Sequence, residues 1–240
     1  MVVAYDRLIT NTPDVDYYIA FDNFKVGVLQ GQALLDGMKA KKPNGPYTIE
    51  LFSGSPDDNN SKVFFDGAMS VLQPAIDSGD VVVGSQQTAI KQTATQGWKR
   101  ERPVPDGLAA ELGLQRGQEG TGRRALAERH PGPGDHHLGQ GGREAGAGGH
   151  RSGLRVESVK SIMAGEQYST INKDTRKLVA STITMVKALQ AGDQPEINDT
   201  KSYDNGVKVV PSFLLDPVIV TKENAAEAYA NDPTLGPLTQ

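Results

Sequence analysis

The side chains of this 240-residue chain that could do chemistry favour hydrogen bonding over bond making. Asp6 and Arg7 stand together at the end of the apolar run Val2-Val3-Ala4-Tyr5. Arg offers a planar fork of donors and an Asp carboxylate accepts without donating, so the pair could grip a polar ligand or form a plain surface ion pair. Asp58 and Asn60 lie in Ser55-Pro56-Asp57-Asp58-Asn59-Asn60, directly after a strand-like run. Residues of these types there also make turns and helix caps, and Asn59 suits the turn. Trp98 is the single tryptophan, and a lone Trp commonly fills a core. Lys173, in Ile171-Asn172-Lys173-Asp174-Thr175, is by default a solvated charge.

Nucleophilic and metal chemistry have weaker material. There is no cysteine, which excludes disulfides and thiolate sites and leaves the compartment open. All four histidines, His130, His136, His137 and His150, fall in one Gly-rich stretch. They could take up zinc or nickel adventitiously, but their spacing matches no regular site and no acidic or thiol partner is positioned. No metal or cofactor is expected. Gly139-Gln140-Gly141-Gly142 is no phosphate loop, because neither a preceding strand nor a following Lys-Ser/Thr is present. No Gly-x-Ser-x-Gly elbow occurs and no carboxylate pair is placed by sequence, so a binding protein is expected rather than an enzyme.

The elements that must position these residues are of α/β type. "DYYIAFDN" and "PYTIELFSG" read as buried strands and "DVVVGS" as a third. "FKVGVLQGQALLDGMKA" and "SKVFFDGAMSVLQPAIDSG" have helical apolar spacing and follow the first two strands. "VESVKSIMAGE", "YSTINKD" and "TRKLVASTITMVKALQAG" continue as helix, strand and helix. Such alternation predicts a mainly parallel sheet with ligands at the carboxyl ends of strands. A net charge of −4 gives no sign of a nucleic-acid or anionic-membrane partner. No apolar run approaches the roughly 18 residues of a membrane span, and the first residues carry no visible signal peptide.

Residues 100–155 break the pattern. They hold nine of the eleven Arg and 14 of the 27 Gly, and no Lys, Asn, Ile, Met, Phe, Tyr or Trp. Such a segment buries little and is expected to be a poorly packed insert. The missing types share a property: all their codons begin with A or T. Only Thr121 and Ser152 in the segment cannot be encoded by a codon beginning with G or C. A gene with G or C at third codon positions produces this bias when read one base out of step. Two compensating frameshifts are therefore expected, one near Lys99–Arg100 and one near Arg155–Val156. Moving the frame back permits a loop S-P-N-D, an apolar helix and a strand ending in G-Q-D, which supply the missing βαβ.

The flanks then carry a specific resemblance. "VVAYDRLI", "FDNFKVGVLQG", "IELFSGSPDDNNS", "FFDGAMSVLQPAIDSG", "SVKSIMAGEQYSTINKDTR" and "NDTKSYDNGVKVVPSFLLDPVIVTKEN" follow one another in the order of the periplasmic xylose-binding and multiple-sugar-binding proteins. These are solute receptors of bacterial sugar ABC transporters, and the resemblance covers nearly all of residues 1–99 and 156–240. It implies a type I periplasmic-binding-protein fold, two Rossmann-like lobes with a hinge and sugar between them, here with an incomplete N-terminal lobe. The expected division is 1–18 as a remnant of that lobe, 19–172 as the C-terminal sugar-binding lobe, and 173–240 as the return to the first lobe and the hinge. Met1 is expected to be an internal or misassigned start.

By the same resemblance Asp6, Arg7, Asp58, Asn60, Trp98 and Lys173 contact the sugar. Two further ligands belong to the restored strings, where the chain has Glu128, Arg129 and Gly153, so the protein as written is expected to bind sugar poorly. The implied ligand is a monosaccharide such as xylose, arabinose, glucose or galactose. The implied partners are an ABC permease in the inner membrane and a chemoreceptor or sensor kinase, with no nucleic acid. The family location is the periplasm, and this chain, without a visible signal, would stay in the cytoplasm. Alternatives are a sugar-sensing effector domain of a transcription regulator and a His-rich metal-binding protein.

Overall fold

A computed structural model describes residues 1–98, 135–138 and 151–240, the backbone alone being described for 135–138 and 151–155. Two parallel three-stranded sheets organise it. In the first, β2 (Tyr17–Phe21) lies between β1 (Val3–Tyr5) and β7 (Ser212–Leu215). β2 is buried on both faces, as a central parallel strand must be. Tyr18 and Ala20 join Ala4, Leu8, Val15, Tyr203 and Val210 on one face. Ile19 and Phe21 meet Leu178 and Met185 on the other.

In the second sheet β3 (Tyr47–Leu51) is central, flanked by β4 (Val81–Val83) and β5 (Asp135–Leu138). Tyr47, Ile49 and Leu51 pack with Met38 and Leu72 from two long helices, α1 (Asn23–Lys41) and α2 (Asn59–Asp77). A Cβ added at Gly27 would fall 2.0 Å from the Phe64 carbonyl oxygen, and one at Gly67 2.2 Å from that of Phe24. The two helices therefore touch backbone to backbone. A one-turn helix, α3 (Ile90–Thr93), and a short 3-10 turn lead to Trp98.

Three of the long helices start alike. Asp22 accepts from the Lys25 amide, Asp58 from the Asn60 amide, and Asp174 from the Arg176 amide. Each satisfies an amide that the first turn leaves without an intrahelical partner. α4 (Arg151–Met163) leads into β6 (Ser169–Asn172), and α5 (Thr175–Ala191), opened by Asp174, packs on β2. α5 ends at Gly192 with φ +82, a left-handed stop that favours glycine.

The chain crosses between the first-sheet side and the second-sheet side three times: after β2, between β6 and α5, and between β7 and β8 (Val218–Thr221). The division expected at 18/19 falls inside β2, all of which lies in the first sheet. β8 pairs antiparallel with β6, the one departure from parallel pairing among the named strands. From there a one-turn helix, α6 (Ala225–Ala228), and the C-terminal residues pack on α4 through Val159, Val220, Tyr229 and Leu235. Residues 218–240 thus rejoin the second-sheet side. Within the segment expected to lack packing, Asp135–Leu138 forms β5 along β3. Backbone pairing explains this, since an open sheet edge needs N–H and C=O partners and makes no demand on side chains. The rest of 100–150 lies outside the described residues.

Candidate functional site

Asp6 and Arg7 follow β1 where the chain turns, and Asp6 takes φ +65. Asp tolerates this left-handed conformation better than most residues. Two donors fix the turn: the Tyr18 hydroxyl gives a hydrogen bond to the Asp6 carbonyl at 2.9 Å and Asn60 Nδ2 gives another at 3.1 Å. Asn60 Oδ1 accepts from Asn23 Nδ2 at 2.9 Å, and the Asn23 amide donates to the Tyr203 hydroxyl at 3.3 Å. Asn60, at the start of α2, is thereby tied to the end of β1 and the start of α1. Tyr18 and Tyr203 stand 5.0 Å apart, centroid to centroid. Burial pushes both phenols up, Tyr203 to about 12, so both remain hydrogen-bonding hydroxyls at neutral pH.

Asp58 is the centre of the cluster. Its Oδ1 caps α2, and its Oδ2 accepts from Arg7 Nη2 at 2.9 Å and from Trp98 Nε1 at 3.1 Å. The Asp58 carboxylate is 1% exposed and the Arg7 side chain 51%, so a buried acceptor is paired with a side chain that reaches solvent. The Trp98 ring meets Phe64 edge-on, 6.3 Å between centroids. Gly54 leaves room for it: a Cβ there would sit 2.1 Å from Trp98 Cη2. Trp98 itself has φ +55, a strained choice for a bulky residue. Strain of this kind costs about 1–3 kcal/mol and concentrates at ligand sites.

Lys173 is buried beside the same aromatic pair, its Nζ 4.9 Å from the Phe64 ring centroid. Burial drives its pKa down to about 7, against the opposing pull of the Asp6 and Asp58 carboxylates. Its charge therefore changes near neutrality.

All six sequence-predicted residues, Asp6, Arg7, Asp58, Asn60, Trp98 and Lys173, converge on one place. They bring a carboxylate, a guanidinium fork, an amine and an aromatic surface, a set that hydrogen-bonds hydroxyl groups and packs against C–H faces. Sequence reasoning missed Tyr18 and Asn23, which bond Asp6 and Asn60, Phe64, which meets Trp98 and Lys173, and Tyr203 behind them. All four lie inside quoted strings, but only Asn23 also stood beside a helix start, next to the Asp22 cap of α1. Glu128 and Arg129 lie outside the described residues, as do His130 and His150; Gly153, His136 and His137 are described in backbone alone. Among the described residues no group of acidic and histidine side chains could hold a metal. A separate cavity of about 240 Å³ at the start of α5 is lined by Asp174, Arg176, Tyr229 and Asp232 and includes none of the six.

The model of the periplasmic binding protein domain matches residues 1–122. The multiple sugar-binding periplasmic receptor of Rhizobium radiobacter is 48% identical over 245 residues, 93% of this chain and 64% of that protein. The D-xylose-binding periplasmic protein of Escherichia coli is 34% identical over 96% of this chain and 65% of that protein. The chain thus spans less than two thirds of the length of either relative. All of it superposes, with a TM-score of 0.75 and 32% identity, on 74% of an ABC transporter solute-binding protein from Clostridium phytofermentans that holds β-D-glucose. Among the described residues no helix is long and apolar enough to cross a membrane.

Proposed function

The chain belongs to the periplasmic binding protein family, with its α/β type I fold, and from that premise we propose that it is the substrate-binding component of a bacterial sugar ABC transporter. Its ligand is a monosaccharide of the xylose, arabinose, glucose or galactose class. Asp58, Arg7 and Asp6 hydrogen-bond the ring hydroxyls, with Asn60 beside them. Trp98 packs on the ring's C–H face and Lys173 donates from its buried position. It works without chemistry, delivering sugar in the periplasm to an inner-membrane permease. The observation that carries this reading is the meeting at Asp58 of Arg7 from the first-sheet side with Trp98 from the second. A polyhydroxylated ring bridging the two sides would hold them closed, which is how such receptors signal occupancy.

Residues 100–155 are, in the same proposal, an out-of-frame reading of the coding sequence, supported by the first-base bias of their codons. Two hydrogen-bonding side chains are then lost from the cleft, and each polar sugar group left unpaired costs about 1–3 kcal/mol. Calorimetric titration with xylose, arabinose, glucose and galactose tests both parts. A full-length protein with its frame restored is expected to bind one of them, and the chain as written to bind none. Micromolar binding by the chain as written overturns the frameshift damage; no binding by either overturns the receptor.

A further inference from the structure

Two Asn-Gly pairs occur in the chain, Asn44-Gly45 and Asn205-Gly206, and the fold treats them in opposite ways. An asparagine side chain can react with the peptide nitrogen that follows it. That nitrogen attacks the side-chain carbonyl carbon, the new N–C bond closes a cyclic imide, and ammonia leaves. Water then opens the ring at either carbonyl and gives aspartate or isoaspartate. A following glycine leaves the approach open, because it has no Cβ to obstruct it. The reaction needs a side-chain amide free to turn and a peptide nitrogen not held elsewhere.

Asn205 meets neither condition. It is 1% exposed. Its Nδ2 donates to the Thr12 carbonyl at 2.8 Å, and its Oδ1 accepts from the Val207 and Lys208 amides, each at 3.0 Å. The Gly206 amide, the nitrogen that would attack, donates to Asp204 Oδ1 at 2.8 Å. Asn44 and Gly45 lie in the connection from α1 to β3, where residues 42–46 are all exposed. The bonds that fix this connection pass around the pair. The Lys42 amide donates to the Met38 carbonyl at 2.9 Å, the Tyr47 hydroxyl to the Lys42 carbonyl at 2.9 Å, and the Tyr47 amide to the Asp80 carbonyl at 2.8 Å. Among the described residues, neither the Asn44 side chain nor the Gly45 amide has a hydrogen-bond partner.

We propose that Asn44 is a site of spontaneous deamidation and that the fold shields Asn205 from the same reaction. The product places a new carboxylate just after Lys41 and Lys42, and its isoaspartate form lengthens the main chain between α1 and β3. Both changes fall at the amino end of β3, away from the carboxyl end that leads to Asp58. The modification therefore records the age of the molecule without touching the cluster, and it is independent of what that cluster binds.

The test ages the whole chain in warm, mildly alkaline buffer, once native and once in urea, and follows digests by mass spectrometry. Deamidation is read as the mass gain from amide to acid in each peptide, and isoaspartate by its separate elution. In the native chain Asn44 reacts at least about tenfold faster than Asn205, whose amide is released only by local opening. In urea the two rates converge. Asn44→Ser abolishes the modification at position 44 and leaves the slow reaction at 205 as it was. Equal rates at the two sites in native buffer overturn the proposal, as does an Asn44 that reacts much more slowly native than in urea. An Asn205 that stays unreactive in urea also overturns it, because its native hydrogen bonds would then not be what protects it.

Discussion

Asp58 holds three structural duties in one carboxylate: helix cap, ion-pair partner of Arg7, and acceptor for the Trp98 indole. Substitutions can separate them. Asp58→Asn keeps a good cap and loses the charge, so it should lower stability by about 1 kcal/mol, and Asp58→Ala, without the cap, by about 1 kcal/mol more. Urea unfolding checks both. In a frame-restored receptor Asp58→Asn should also weaken sugar affinity at least tenfold, read by calorimetry. Lys173 gives a pH prediction. Its pKa falls from 10.5 unfolded to about 7 folded, so between these values the unfolded chain binds the extra proton. Stability from this group therefore rises as pH climbs from 7 towards 10.5 and is flat below 7. Lys173→Met should remove that slope and raise the urea midpoint at pH 7; an unchanged slope would refute the buried amine. At this scale the six site residues were legible through the family resemblance; taken alone, their types read as readily as a surface ion pair, a turn and helix cap, a core indole and a solvated amine. Their supports were not. Asn23 meets Tyr203 across 180 residues, and neither residue type nor spacing marks such a meeting.

The closeness of α1 and α2 decides how the elements respond to mutation. Gly27→Ala would place a methyl 2.0 Å from a backbone oxygen that no rotamer change can move. The helices must separate, at about 2–3 kcal/mol, and the loss should appear as a lower urea midpoint. Because Asp58 and Asn60 begin α2 while Asn23 begins α1, the same shift should loosen the site. The long helices were legible from their caps and period, and the glycines that bring them together were not, since a helical Gly alone does not name its neighbour. β5 was illegible for a different reason: it joins β3 through backbone pairing, to which hydrophobic periodicity is blind.

For the whole molecule, the nucleotide sequence offers the most direct test. Resequencing the gene across codons 99–156 should show G or C dominating third positions in the shifted frame, with one base gained and one lost at the ends. Ordinary third-position usage in the present frame would return the segment to the protein as its own. The two-sided plan was legible from motif order. The destination of the last residues was not, because the approach of β8 to β6 depends on a third crossing that carries no local signature. With a single indole in the chain, hydrogen-bonded to Asp58 and edge-on to Phe64, all tryptophan emission originates at the cluster itself. The protein thus carries its own optical gauge, and a colour change on adding a sugar or warming would report the state of that one spot without any attached dye.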